Sequence, residues 1–172
     1  EDASRNLIET VKIEKFKISF FDSKVDQCFF ETKDLRDRVV YSLLRVKDPS
    51  AANEFYLRLL EGDSTFTELA GAHSPGPERD TGGLIGPVPL ARLHPKLAEI
   101  LRVAKPGNLW RPVEIDGWWV VVRLDKQIPA ELTDQMRKVI RNELFDQWLG
   151  GRVDEFMAAY RAASQPKPDS IH

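Results

Sequence analysis

The sequence predicts an α+β fold: a small, mainly antiparallel sheet covered by helices, flanked by an N-terminal helix and a long C-terminal helix. Three observations predict it. Helical spacing of apolar residues fills both ends of the chain. Between the ends, short β-branched runs alternate with single helical stretches. The last two of those runs are joined by Asp116-Gly117, a strong signal for a tight hairpin.

Taken in order, residues 1–37 are rich in Lys, Glu and Asp. They place Leu7, Val11, Phe16, Phe20, Phe21, Val25, Phe29 and Phe30 at gaps that suit one or two amphipathic helices. Val39 to Val46 is β-branched and bounded by charge, which reads as a strand. Asp48-Pro49 opens a helix, with Asp as N-cap and Pro in the first turn. Ala52, Phe55, Tyr56, Leu59 and Leu60 follow the i, i+3, i+4, i+7, i+8 spacing of a helix, and Gly62 stops it. Thr65 with Glu68 is a capping box that starts a short helix burying Phe66, Leu69 and Ala70. Residues 74–86 are turn chemistry almost throughout, and Leu84 to Val88 is a short strand. A helix follows around Leu93, Leu97, Ile100 and Leu101, then a turn at Pro106-Gly107. The hairpin strands are Leu109 to Ile115 and Trp118 to Leu124. Leu132 to Ala163 reads as one long helix, broken or kinked at Gly150-Gly151. The domain expectation is therefore a helical segment 1–37, a compact domain 38–127, a helix 128–163 and a disordered tail 164–172.

Composition narrows the function. The 172 residues are 42% apolar and 30% charged, enough for one core of its own. Lys and Arg total 25 against 27 Asp and Glu, for a net charge of −2. That balance argues against gripping nucleic acid or an anionic membrane through the net field. No apolar run is long enough to cross a bilayer. The single Cys28 excludes an internal disulfide and a Cys-built zinc site. His73, His94 and His172 form no ligand pair, so no metal and no cofactor is expected. Cys28 sits in an amphipathic run and reads as a buried small hydrophobe. Gly82-Gly83-Leu84-Ile85-Gly86 matches neither phosphate-loop spacing, so its glycines read as conformational. The chain opens on Glu1 and is read as a processed form or an excised piece.

Trp118 to Leu124 places Trp119, Val121 and Arg123 on one face and Trp118, Val120 and Val122 on the other. Both faces are apolar. One tryptophan therefore goes to the core, and the other covers a helix or lines a groove suited to apolar peptide.

Seven ordered pieces of the middle of the chain resemble a parvulin, the small α+β family of peptidyl-prolyl cis-trans isomerases. They are the strand VVYSLLRV, the step from Gly62 through Phe66 to Glu68-Leu69-Ala70, and the pair His73-Ser74. The GGLIG turn at 82–86, the segment Leu93-His94-Pro95-Lys96-Leu97, the run PGNLWRPV at 106–113 and GWWVVVR at 117–123 complete them. The helical arms resemble those of bacterial foldases and chaperones that embed such a domain; the sequence does not name the compartment, bacterial cytoplasm or cell envelope. The resemblance implies a groove in which Ile85, Leu93, Leu97 and Trp119 clamp a proline ring, with His94 at the rim and Ser42 at the floor. The two family histidines fall on Ser42 and Trp119, and the family's Cys or Asp falls near Gly76. The apolar pocket is thus kept and the polar centre replaced.

Rotation about an X-Pro bond crosses ~20 kcal/mol, and a thousandfold acceleration needs only about 4 kcal/mol, with no covalent step. The expectation is a parvulin-like isomerase or foldase domain that binds unfolded or proline-containing polypeptide, with weak or lost isomerase activity. A non-catalytic chaperone or substrate-recognition domain and a structural scaffold are the alternatives. The aromatic faces of the two arms are expected to pack on each other, on a partner, or on a segment that precedes Glu1.

Overall fold

The computed structural model describes residues 2–164. The chain forms α1 (Asp2–Arg36), β1 (Arg38–Val46), α2 (Pro49–Glu61), α3 (Phe66–His73), β2 (Leu84–Pro89), α4 (Pro95–Val103), β3 (Leu109–Ile115), β4 (Trp118–Ile128) and α5 (Asp134–Ser164). Short 3-10 turns lie at Pro77–Arg79 and Leu90–Arg92. The chain divides into two compact units, residues 32–130 and the paired segments 1–31 and 131–172.

In the unit 32–130, the four strands form one antiparallel sheet in the order β2-β1-β4-β3. Local sequence explains the elements. Asp48 accepts the backbone N–H groups of Ser50 and Ala51 and caps α2. Thr65 and Glu68 form a reciprocal capping box on α3. His94 caps α4 by accepting the Lys96 N–H at its Nδ1, 3.2 Å away. Asp116-Gly117 turns β3 into β4, pairing Ile115 with Trp118. Gly86 holds φ +117, where a Cβ would stand 2.4 Å from the Val39 carbonyl oxygen. Only glycine permits that approach of β2 to β1.

The sheet is buried on both faces. One face carries Val39, Tyr41, Leu43, Val120, Val122 and Leu124 against Leu97 and Leu101 of α4. The opposite face carries Leu44 and Val121 against Phe55 of α2 and Phe66 and Leu69 of α3. These two layers follow from the two-residue period of the central strands. Asp37 ties the ends of the unit together: its carboxylate accepts the Ala130 N–H at 2.8 Å, and its carbonyl accepts the Leu90 N–H at 2.9 Å.

The other unit pairs residues 2–31 of α1 with α5. Phe16, Phe20 and Phe21 pack on Phe145 and Trp148, with the Phe16 and Trp148 rings 5.5 Å apart. Arg141–Asp22 and Arg137–Asp26 ion pairs and a 3.0 Å bond from Lys17 to Asn142 flank the aromatic seam. Leu7, Ile8, Phe30, Phe156 and Tyr160 remain exposed. No helix among the described residues is long and apolar enough to cross a membrane.

Three expectations need correction. α5 runs unbroken through Gly150-Gly151; two glycines cost only about 2 kcal/mol together, and good helix formers flank them. Ser164 closes α5 rather than opening a tail, and residues 165–172 lie outside the described residues. Cys28 is half-buried rather than fully buried.

Candidate functional site

Ile85, Leu93 and Leu97 do come together. Ile85 sits on β2 opposite Tyr41, Leu97 is buried on the inner face of α4, and both join Leu93 in the core layer between α4 and the sheet. Leu93 also lines, with Leu35, Leu90, Pro95 and Ala98, an apolar cleft of about 370 Å³ on the outer side of that layer. His94 stands at the start of α4, its Nε2 3.5 Å from the Asp116 carboxylate in the β3–β4 turn. Lys96 reaches the same hairpin through the Glu114 carbonyl, 3.3 Å away. The N-terminus of α4 is therefore anchored to the hairpin tip.

Trp119 and Ser42 do not join them. Trp119 lies on the α2/α3 face, packed with Val46 against the layer of Leu44, Val121 and Phe55. Ser42 is buried on the same side. The expected convergence of Trp119 and Ser42 with Ile85, Leu93 and Leu97 is thus overturned by strand parity. A position one residue off on a strand points to the opposite face. The residues of β1 and β4 on the α4 face are Val39, Tyr41, Leu43 and Arg45, and Trp118, Val120, Val122 and Leu124.

Ser42 has surroundings of its own. It forms part of a cleft of about 670 Å³ with Leu59, Leu60, Thr65, Phe66, Leu84 and Arg123 among its walls. Its hydroxyl donates to Asp125 at 2.6 Å, Arg123 Nε donates to the other Asp125 oxygen at 2.7 Å, and the guanidinium lies 5.2 Å from the Phe66 ring centre. Ser42 is thereby committed to Asp125.

The polar groups on the α4 face are ones the sequence reading passed over. Arg45 makes a side-on pair with Glu78, Nε to Oε1 at 2.7 Å and Nη2 to Oε2 at 3.0 Å. Glu78 is 3% exposed. An unpaired carboxylate there would be costly, and the two-point pairing offsets its desolvation. The Arg45 N–H donates to Ser74 Oγ at 3.1 Å, which pins the 74–79 loop to β1. Trp118 stands between two cations, with Lys47 Nζ 3.8 Å and the Arg45 guanidinium 5.9 Å from its ring. Burial, reinforced by the nearby Glu78 carboxylate and opposed by Arg45, pushes the Tyr41 hydroxyl up to about 12. The signal for these residues was present in the strand alternation, which puts Arg45 in register with Leu43. Glu78 carried no local signal, because only the fold brings it to β1.

Together these features make a small α+β domain with an apolar layer under α4 and an aromatic, cation-flanked edge at the hairpin tip. Residues 20–137 match the family model of the PPIC-type PPIase domain, the peptidyl-prolyl cis-trans isomerases of parvulin type. The chain belongs to that family. It is 32% identical over 138 residues to the chaperone SurA of Nitrosococcus oceani, covering 69% of this chain and 32% of that protein. To the chaperone SurA of Bordetella avium it is 27% identical over 102 residues, covering 59% of this chain and 20% of that protein. The chain thus spans between a fifth and a third of the length of these curated relatives. Among solved structures it is similar to the peptidylprolyl isomerase PrsA of Bacillus anthracis, with 19% identity and a TM-score of 0.57 over 98% of this chain and 84% of that one. That likeness establishes the shared fold.

Proposed function

We propose that the chain's domain at residues 38–127 holds apolar, proline-containing segments of unfolded polypeptide, with weak or no isomerase activity. Ile85, Leu93 and Leu97 supply the apolar wall, with His94 at the rim and Trp118 in the place first given to Trp119. The observation that carries the reading is the position of the histidines. Among the described residues they are His73, stacked 4.5 Å from Phe55, and His94, the α4 cap. Neither stands on β1 or β4, where the family resemblance places its polar pair. The side chains at that centre are apolar apart from the buried Tyr41 hydroxyl and the Arg45–Glu78 pair. Clamping and desolvation remain available, while a group that favours the twisted amide is missing.

The two-helix unit supports a chaperone setting. Leu7, Ile8, Phe30, Phe156 and Tyr160 offer apolar surface of the kind that marks contact with further polypeptide.

A protease-coupled assay on a proline peptide tests the catalytic half. The expected kcat/KM is at least a hundredfold below that of a family member with both strand histidines. Comparable turnover overturns the reading. Saturable quenching of tryptophan fluorescence by an apolar proline peptide tests the binding half.

A further inference from the structure

We infer that Arg45 is the side chain that meets the main-chain carbonyl of a bound peptide, and that Glu78 is the residue that positions it. The inference rests on the peptide-binding reading above. Arg45 lies on the α4 face of β1, in register with Leu43 and beside the Trp118 ring. Its orientation is fixed at two points by a buried carboxylate, and its own backbone N–H is held by Ser74. That pairing uses Nε–H and one N–H of Nη2. The second Nη2 N–H and both on Nη1 have no acceptor among the described residues, and 33% of the side chain is exposed. The protein therefore presents a rigid, partly solvated set of donors at the edge of an apolar layer, which is what recognition of a carbonyl oxygen requires.

Gly76 shows how the chain makes room. A Cβ there would lie 1.7 Å from Arg45 Nη2 and 2.4 Å from Glu78 Oε2. The guanidinium, delivered from β1, fills the volume in which the family resemblance places a Cys or Asp facing the substrate amide. A side chain at 76 and the guanidinium of Arg45 in this position exclude each other.

The chemistry also decides what such a site does. The planar amide owes its rotation barrier to resonance that puts negative charge on oxygen. A donor on that oxygen stabilises the planar form and does nothing for the twisted one, so it raises ground-state binding without lowering the barrier. Because Glu78 neutralises Arg45, the site favours uncharged segments over acidic ones.

The test uses fluorescence anisotropy of a fluorescein-labelled Ala-Leu-Pro-Phe peptide on the full chain. The double variant Arg45→Met/Glu78→Met removes both charges and leaves no unpaired ion. It should keep its circular dichroism spectrum and weaken peptide binding by about tenfold or more. Glu78→Gln, which loosens the guanidinium, should weaken binding less. A folded double variant that binds within twofold of wild type overturns the inference and leaves the peptide-binding reading standing. A wild type without saturable binding removes that reading, and the inference with it. If the double variant does not fold, Arg45→Lys decides: its ammonium cannot make the side-on pair, so affinity should fall at least fivefold, and unchanged affinity overturns the inference.

Discussion

Replacing the two adjacent tryptophans one at a time separates the two faces of the sheet. Trp119 is half-buried and packs with Val46 on the layer of Leu44, Val121 and Phe55. Truncating a fully buried tryptophan to alanine costs ~3–5 kcal/mol, so a half-buried one in this layer should cost about 2–3 kcal/mol. For a cooperative unit of about a hundred residues, that lowers Tm by roughly 10–20 °C. Peptide affinity should stay within about twofold, because Trp119 points away from Ile85, Leu93 and Leu97. Trp118→Ala should also destabilise, since that ring packs on the α4-side core. Unlike Trp119→Ala, it should weaken peptide binding tenfold or more, as truncated aromatic anchors do. Thermal melts followed by circular dichroism and anisotropy titrations below both melting points give the two readouts. The decisive one is affinity. If Trp119→Ala abolishes binding while Trp118→Ala retains it, the peptide lies on the α2/α3 face and the assignment of faces is wrong.

Two further outcomes follow from the packing. Gly86→Ala forces a Cβ to 2.4 Å from the Val39 carbonyl oxygen at a φ that alanine disfavours, so β2 should detach, with a loss of ~3 kcal/mol or more in urea denaturation. Tyr41 has a folded-state pKa near 12 against an ordinary 10.0. The unfolded chain therefore loses its proton first as pH rises, so stability should be intact below pH 10 and decline between pH 10 and about 12, by about 3 kcal/mol at most. Tyr41→Phe should remove that part of the decline, and an identical alkaline limb in the variant would contradict the assignment.

Much of the fold was legible because its signals are local. Asp48-Pro49, the Thr65–Glu68 box and Asp116-Gly117 each specify a turn or cap within a few residues, and all three occur where the sequence placed them. The misread points share a different character. Helix continuity through Gly150-Gly151 depends on the summed preference of a 31-residue helix rather than on two residues. β4 extends to Ile128 because it pairs with β1 back to Arg38, which no pattern inside β4 announces.

The site was harder to read than the fold because a strand has two faces and a motif match tolerates a slip of one. Matching VVYSLLRV to the family strand put the polar position on Ser42. The structure turns Ser42 toward Asp125 and gives the α4 face to Tyr41, Leu43 and Arg45. The alternation itself contained the remedy. Ile85 pairs opposite Tyr41, so any β1 residue that shares its layer must be at an odd-numbered position, and Ser42 is excluded before any side chain is placed. What alternation does not reveal is the partner. Glu78 lies 33 residues from Arg45 in the chain, in a loop whose glycine at 76 looks like ordinary turn chemistry. Only the fold shows that this glycine is the space the guanidinium fills, because the pair that needs the space is brought together from two distant segments.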